Sequence, residues 1–297
     1  MPFFSVIIPT YNRAAMLAAT LQTIVNQDFT DFEILIIDDG STDDTQQVVA
    51  TLFGTNPKVR YLYKQNEERS VARNYGITHA KGQFAVFFDS DDFMHADNLS
   101  TLHQAIQQYP QTNFFASKYL FDCKGVISYN DLKNIPTGFY DYKLLLEYGS
   151  IVGTLVCVRL NNPNLHSFPA EFNILEDLAF NMLNLRNDKI YIIDKFTMTV
   201  NDHAGRTMQN NQKAIAARLK VTDYLIPKLQ LPENELKIFK GKSYEFCAIH
   251  SYIDNKRTDA FKYLCLTIKE LGFSTNSFAL LLKILIGKKN INRLKFL

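Results

Sequence analysis

Hydrophobic positions in residues 4–88 alternate between two periods. Short apolar or β-branched runs predict strands, and three of the four are nearly continuous, as in buried parallel strands. The runs are FSVII (4–8), EILII (33–37), VRYLY (59–63) and FAVFF (84–88). Between them apolar residues recur at helical spacing, as Leu17, Leu21 and Ile24 do. The resulting β-α-β-α-β-α-β order predicts an α/β fold with a mostly parallel, Rossmann-like sheet, flanked by helices and joined by right-handed crossovers.

Polar residues follow these strands, at the edge where the loops of a parallel sheet meet and bind ligands. PTYNR (9–13) follows the first run, DDGSTDD (38–44) the second and DSDD (89–92) the fourth. Within the second segment, Ser41 and Asp44 fit a capping box whose serine accepts from the new helix. Neither GxGxxG nor GxxxxGK[ST] follows a strand, so another group must bind the phosphates of any nucleotide.

Asp89, Asp91 and Asp92 place three carboxylates at the end of a buried strand. Charges this close ionise together only when a cation neutralises them. Oxygen ligands on a short turn suit Mg²⁺ or Mn²⁺ better than zinc, and such an ion could bridge the carboxylates to a diphosphate. The alternative is a solvated acidic turn that caps the next helix. The position after a buried strand favours the metal site.

Composition narrows the class of protein. The chain has 32 lysines and arginines against 30 aspartates and glutamates, a net charge of +2, so we expect no nucleic-acid partner. Its four cysteines lack CxxC spacing, which argues against a zinc site and a disulfide scaffold. The N-terminus lacks the pattern of a signal peptide, and no apolar run reaches the roughly 20 residues that span a bilayer. These features predict a cytoplasmic protein.

After residue 205, helical patterns interrupted by Pro227 and Pro232 replace the strands. The last segment, FALLLKILIGKKNINRLKFL (278–297), combines an apolar run with five basic residues and no acid. Such a segment suits peripheral contact with the inner face of the plasma membrane. A helix packed on the rest of the chain or in a homodimer interface is the alternative.

Four segments in this order and spacing resemble the family 2 glycosyltransferases: SVIIPTYNR, LIIDDGSTDD, SVARNYGITHAKG and VFFDSDDF. The resemblance implies a GT-A fold, a metal-dependent, hexosyltransferase-type activity and a role in polysaccharide biosynthesis. A nucleotide-diphosphate sugar would be the donor, and a hydroxyl of a saccharide or lipid-linked saccharide would accept the sugar with inversion. It further implies a catalytic domain over 1–205, with a nucleotide-sugar half (1–105) and an acceptor half (106–205), followed by a helical region (206–297).

The resemblance also implies a nucleotide site. The loop after the first strand lines the nucleotide in such enzymes, which assigns Pro9, Tyr11 and Arg13 to it, with the Tyr11 ring available to the base. Asp39 matches the position that accepts from the N–H of uracil, so we favour a UDP-sugar. For Asp38 and Asp39, turn chemistry ahead of a helix is the alternative.

Arg73 matches an arginine that faces the nucleotide in the family. Its guanidinium fits a diphosphate or a carboxylate such as Asp89 equally well. Before it, Glu67-Glu68-Arg69 replaces the small glycine common in the family, so the shape of this loop is an open question.

The remaining ligands are implied in the same way. We expect Asp91 to be the nearer metal ligand, Asp89 to contact the ribose or the metal, and Asp92 to orient them. VNDHAGRTMQN (200–210) resembles a loop that closes over the diphosphate. There His203 would be a third metal ligand or a phosphate donor, and Arg206 a second phosphate contact.

Inversion requires a base for the acceptor hydroxyl. ILEDLAF (174–180) resembles the family's ED motif, which implies Asp177 as general base and Glu176 as a contact to the acceptor or the helix N-terminus. The alternative is two acidic residues stabilised by a helix dipole.

Two other classes of function remain. A nucleotide-sugar-binding regulator would keep the fold without the chemistry. A haloacid dehalogenase-like phosphatase would use a strand followed by DxD as aspartyl nucleophile and acid-base partner. Here Asp92-Phe93 follows the motif and three strand units precede it, which disfavours the phosphatase.

Overall fold

A computed structural model describes residues 1–201 and 210–288 of the chain. It divides into two compact units. The first, here called the sheet unit, comprises Met1–Tyr142 and Ser150–His203. The second, the helical unit, comprises Lys143–Gly149 and Ala204–Leu297.

The described part of the sheet unit contains one sheet of ten strands. The strands are β1 (Phe4–Thr10), β2 (Phe32–Asp38), β3 (Val59–Tyr63), β4 (Phe84–Phe87), β5 (Phe93–Met94), β6 (Phe114–Cys123), β7 (Val126–Ser128), β8 (Gly138–Tyr140), β9 (Cys157–Arg159) and β10 (Ile190–Asn201). Eight of them follow the order β3-β2-β1-β4-β9-β6-β10-β5, while β7 pairs with β6 and β8 with β10.

The helices are α1 (Ala14–Val25), α2 (Thr45–Phe53), α3 (Glu68–His79), α4 (Asn98–Gln108), α5 (Lys143–Tyr148), α6 (Glu176–Leu185), α7 (Asn211–Leu229), α8 (Glu233–Ile253), α9 (Arg257–Leu271) and α10 (Thr275–Ile286). A short 3₁₀ helix covers Asp131–Asn134. Among the described residues, α5 and α7–α10 belong to the helical unit and the others to the sheet unit.

The predicted parallel α/β sheet is confirmed. β1 pairs in parallel with β2 and β4, and β2 with β3, and every residue of β1 and β2 is buried. Helix α3 packs closely on this sheet, because a Cβ at Gly76 would lie 2.4 Å from Ile7 Cγ2. The largely apolar segment SIVGTLVCVRL (150–160), which the sequence suggests as a further strand, forms only the short strand β9, which is antiparallel to β4 and β6. That strand connects the parallel half of the sheet to β6 and β10.

The capping box predicted at Ser41 is wrong. Helix α2 begins at Thr45, and its N-cap residue Asp44 makes no side-chain hydrogen bond to the helix. The Ser41 hydroxyl instead accepts from the Asn12 backbone N–H at 2.8 Å. The serine therefore joins the first two loops rather than ending a helix.

In the helical unit, α8, α9 and α10 share an apolar cluster of Ala248, Ala260, Leu264, Leu280 and Ile284. Helix α7 continues through Pro227, and Pro232 is the N-cap residue of α8. Among the described residues, no helix is both long and apolar enough to cross a membrane.

Candidate functional site

The first two loops are joined at the carboxyl end of the sheet. Asn12 has a positive φ of 51°, and its side-chain oxygen accepts from the backbone N–H groups of Thr42 and Asp43 at 2.8 and 3.3 Å. The Asp43 carboxylate accepts from the Ala14 N–H at the first turn of α1. Because each loop satisfies backbone donors of the other, the two are held together as one rim.

The neighbouring carboxylates Asp38 and Asp39 have different environments. Asp38 is fully buried and accepts from the Ser41 N–H at 2.7 Å and from the Tyr61 hydroxyl, which is a turn role. Burial and the hydrogen bond to Asp38 raise the pKa of Tyr61, so its phenol stays a donor. The Asp39 carboxylate instead accepts on a single oxygen, Oδ1, from Lys64 Nζ at 2.6 Å and from the Glu67 N–H at 3.0 Å. Among the described residues, none donates to Asp39 Oδ2.

Lys64 is anchored between two acids. Its ammonium lies 2.6 Å from Asp39 and 3.0 Å from Glu67, and its side chain is 9% exposed. Burial alone would lower the pKa of Lys64, but its hydrogen bonds to these two carboxylates raise it. The Lys64 ammonium therefore stays charged and holds Asp39 by its Oδ1 atom.

The loop before α3 contains no glycine, but it has a backbone conformation that glycine favours. Glu68 has φ +73°, in the left-handed region, at the first position of α3. This conformation costs a residue with a side chain about 1 kcal/mol. One residue of the glycine-less loop, Glu68, thus adopts the left-handed conformation that glycine favours, and its backbone is strained.

Asp89, Asp91 and Asp92 converge after β4. One carboxylate oxygen from each lies within 4.8 Å of the others. Arg13 lies 3.3 Å from Asp91, and Asp92 accepts from the Asn201 N–H at 3.0 Å. Asp92 is thus tied to the end of β10, while Asp89 and Asp91 are partly exposed. The oxygen-only donor set fits a hard divalent cation.

Arg73 connects two of the predicted motifs. Its guanidinium donates to Asp89 at 2.7 Å and to Glu176, at the start of α6, at 2.8 Å. The arginine side chain is 1% exposed and also stacks over Phe168. Burial by itself would lower the pKa of Arg73, but the charges of Asp89 and Glu176 raise it. The sequence allowed a diphosphate or a carboxylate such as Asp89 as the partner of Arg73, and the structure shows the contact with Asp89.

Asp177 follows Glu176 in the first turn of α6. The Asp177 Oδ2 atom accepts from the Ser150 hydroxyl, and the Oδ1 atom accepts from the Leu178 backbone N–H at 2.8 Å. Burial, followed by the negative charge of Glu176, raises the pKa of Asp177 to about 6. A carboxylate with such a pKa is ionised at neutral pH yet binds a proton readily, which is what a general base requires.

The segment Ser150–Thr154 lies beside both acidic motifs. Ser150 contacts Asp177, and the Thr154 hydroxyl lies 3.5 Å from Asp89. The segment is held by Tyr119, whose hydroxyl donates to the Ile151 carbonyl at 3.0 Å. Its residues therefore border the space around the two carboxylates.

The other predicted site residues are placed as follows. Tyr11 is 48% exposed, so its ring is available at the rim, whereas Pro9 is buried within β1. His203 and Arg206 lie outside the described residues. Lys64 and Ser150 were missed from sequence. The position of Lys64 directly after the run VRYLY (59–63) was a signal for the first; nothing local marked the second.

The chain is similar in sequence to known glycosyltransferases. The glucosyltransferase of Campylobacter jejuni named GalNAc(5)-diNAcBac-PP-undecaprenol beta-1,3-glucosyltransferase is 42% identical over 106 residues, 35% of this chain and 34% of that protein. The chain spans about a third to a half of the length of such curated relatives.

Two solved structures share the fold. TarS 1–349 of Staphylococcus aureus with UDP-GlcNAc has a TM-score of 0.70 at 20% identity, covering 94% of this chain and 83% of that one. The mannosyltransferase PcManGT of Pyrobaculum calidifontis, in complex with GDP-Man and Mn²⁺, has a TM-score of 0.59 at 16% identity, covering 96% of this chain and 87% of that one. The fold is therefore GT-A, as the resemblance implied. The profile of Glycosyl transferase family 2 matches residues 5–160, more than half of the sequence, and the chain belongs to that family.

Proposed function

We propose that this protein is an inverting glycosyltransferase that transfers a sugar from a UDP-sugar to a hydroxyl of a saccharide or lipid-linked saccharide. One observation carries the proposal: Arg73, buried, binds Asp89 of the DxD segment and Glu176 of the ED pair. The same ion network thus joins the predicted donor end of the site to the residue preceding the candidate base. A solvated acidic turn would not need a buried partner of this kind.

Uridine recognition rests on Asp39. Its Oδ1 is engaged by Lys64 and the Glu67 N–H, so Oδ2 is the atom that would accept from the N–H of uracil. Tyr11 is exposed at the same rim and follows Thr10, whose carbonyl accepts from the Asp39 N–H at 2.9 Å; its ring would pack on the base. TarS binds UDP-GlcNAc and UDP in its structures, whereas PcManGT binds GDP-Man. We favour the uridine nucleotide because a carboxylate stands at the Asp39 position.

A divalent metal, Mn²⁺ or Mg²⁺, fits the residues present. Asp91 and Asp89 would hold it, with Asp92 orienting them through its bond to Asn201. When bound, the ion supplies positive charge that stabilises the diphosphate as it leaves. Arg13, paired with Asp91, is close enough to contribute charge at the same place.

Asp177 would take the proton from the acceptor hydroxyl as its oxygen attacks the anomeric carbon opposite the leaving diphosphate. Ser150 holds the carboxylate in place, and burial keeps its pKa within reach of neutral pH. We assign the acceptor to the side of the site bordered by Ser150–Thr154. The name of the Campylobacter jejuni relative, with its undecaprenol-linked saccharide, supports the lipid-linked class of acceptor.

The test begins with binding. Calorimetric titration with UDP, GDP and TDP, each with and without Mn²⁺, should give tight binding of UDP only with the metal. Asp91→Ala should abolish the metal-dependent part, whereas Asp44→Asn, an exposed acid at the same rim, should leave it unchanged. Absence of nucleotide binding under all these conditions would return the three aspartates to the status of a solvated turn.

A second test separates the enzyme from a nucleotide-sugar-binding regulator. Asp177→Asn should retain UDP binding within about threefold but lose turnover by about a thousandfold, because only the reaction needs the base. Unchanged turnover in this variant would remove Asp177 from the mechanism. Release of UDP from UDP-sugars in the presence of a panel of saccharide acceptors provides the assay.

A further inference from the structure

Helix α10 is apolar on two sides but buried on one. Leu280 and Ile284 point into the cluster shared with α8 and α9. On the other side Phe278, Leu282 and Leu285 are 49%, 42% and 63% exposed, and Phe273, just before the helix, is 63% exposed. We call these four residues the α10 face. Four large apolar side chains this exposed within thirteen residues form a patch rather than scattered surface positions.

The charge of the chain is divided unevenly between its units. The helical unit contains 18 of the 32 lysines and arginines and 8 of the 30 acids, a formal charge of +10. The sheet unit contains the remaining 14 and 22, a charge of −8. Residues 271–297, which include the α10 face, contain five basic residues and no acid. The helical unit is therefore strongly basic, although the whole chain has a net charge of only +2.

We propose that the α10 face binds the surface of an anionic lipid bilayer, with the apolar side chains in the headgroup region and Lys283 on lipid phosphates. An exposed apolar strip next to cationic residues is the arrangement by which helices lie on membranes. Helix α10 has 12 residues, fewer than the roughly 20 that cross a bilayer, so the proposed contact is interfacial. Lys283, exposed between Leu282 and Leu285, would reach the phosphate layer.

Two other occupants fit the charges less well. In a symmetric pair of chains, the same basic segment of each copy would meet the other with no acid in either, which is unfavourable. A soluble polyanion would satisfy the charge but would leave Phe273, Phe278 and both leucines in water. A bilayer accommodates both features.

The experiment is co-sedimentation of the full chain with vesicles. Vesicles of equimolar phosphatidylglycerol and phosphatidylcholine should bind the protein, and vesicles of phosphatidylcholine alone should bind it at least tenfold less. Leu282→Ser with Leu285→Ser should weaken binding to the anionic vesicles by about tenfold or more, because two apolar contacts are lost. Lys283→Gln should weaken it by about fivefold.

A matched control uses exposed apolar residues of the sheet unit. Val126→Ser with Ile127→Ser, both on β7 and 69% and 46% exposed, should bind vesicles like the wild type. The circular dichroism and unfolding midpoint of each variant establish that it is folded. Three outcomes overturn the proposal: no binding to anionic vesicles, equal binding by the leucine variant, or a dimer of the wild type that this variant abolishes.

Discussion

Replacing Arg73 by methionine should destabilise the sheet unit mainly through Glu176. The arginine and Glu176 side chains are 1% and 6% exposed, whereas that of Asp89 is 36% exposed. Removing one partner of a buried ion pair costs about 3–5 kcal/mol, since the remaining charge is left unpaired. The more exposed pair with Asp89 contributes about 1 kcal/mol at most. We therefore expect a loss of about 3–5 kcal/mol in the free energy of unfolding.

The origin of this loss can be tested by a second substitution. Adding Glu176→Gln to Arg73→Met should recover about 2 kcal/mol or more, because a neutral amide is less costly to bury than a carboxylate. Recovery of this size would show that the loss comes from the unpaired Glu176 carboxylate rather than from the lost packing of the arginine.

Denaturant unfolding followed by circular dichroism measures these differences, as the chain has no tryptophan. Arg69→Met, on the same helix at 4.0 Å from Glu176 and 38% exposed, is the control and should cost less than about 1 kcal/mol. A loss of stability that Asp89→Asn recovers and Glu176→Gln does not would refute the reasoning.

Three further predictions follow from the rim and the base. Ser150→Ala removes a hydrogen bond that lowers the pKa of Asp177. The acidic limb of the pH–rate profile, expected near pH 6, should therefore move up by about one pH unit, and activity should recover above that pH. A limb that does not move would exclude this role of Ser150. Lys64→Met should weaken UDP binding about tenfold with little change in kcat. The control Lys81→Met, at an exposed position, should bind UDP like the wild type. Equal affinities of the two variants would show that Lys64 does not position the Asp39 carboxylate. Glu68→Gly should raise the free energy of unfolding by about 0.5–1 kcal/mol, because it relieves a left-handed conformation, and a loss of stability would contradict the strain.

Sequence predicted best what is encoded in contiguous residues. Three of the four strands of the parallel half were nearly continuous apolar runs, and all four lie within two residues of the predicted limits. The polar segments after them meet at one edge because parallel strands of a βαβ series end on the same side. The acidic segment 89–92 could be identified as a site because its carboxylates are neighbours along the chain.

Prediction from sequence failed where the hydrogen-bond partner of a side chain is distant along the chain, or where several partners are available. The Ser41 hydroxyl had a nearby helix N-terminus to accept from, but it accepts from Asn12, 29 positions earlier. Strand β9 is short and antiparallel because it connects two parts of the sheet, a role that the apolar run at 150–160 does not specify.

The sequence by itself determined the order of strands and helices along its first half, the family, and the acidic residues available for chemistry. The tertiary structure decided which charges meet: Arg73 and Glu176 are 103 positions apart, and Asp39 and Lys64 are 25 apart. It also decided that only one side of the apolar α10 is buried. Local patterns state which groups a chain possesses, but the free energy of a buried charge or an exposed apolar side chain depends on neighbours that only folding supplies.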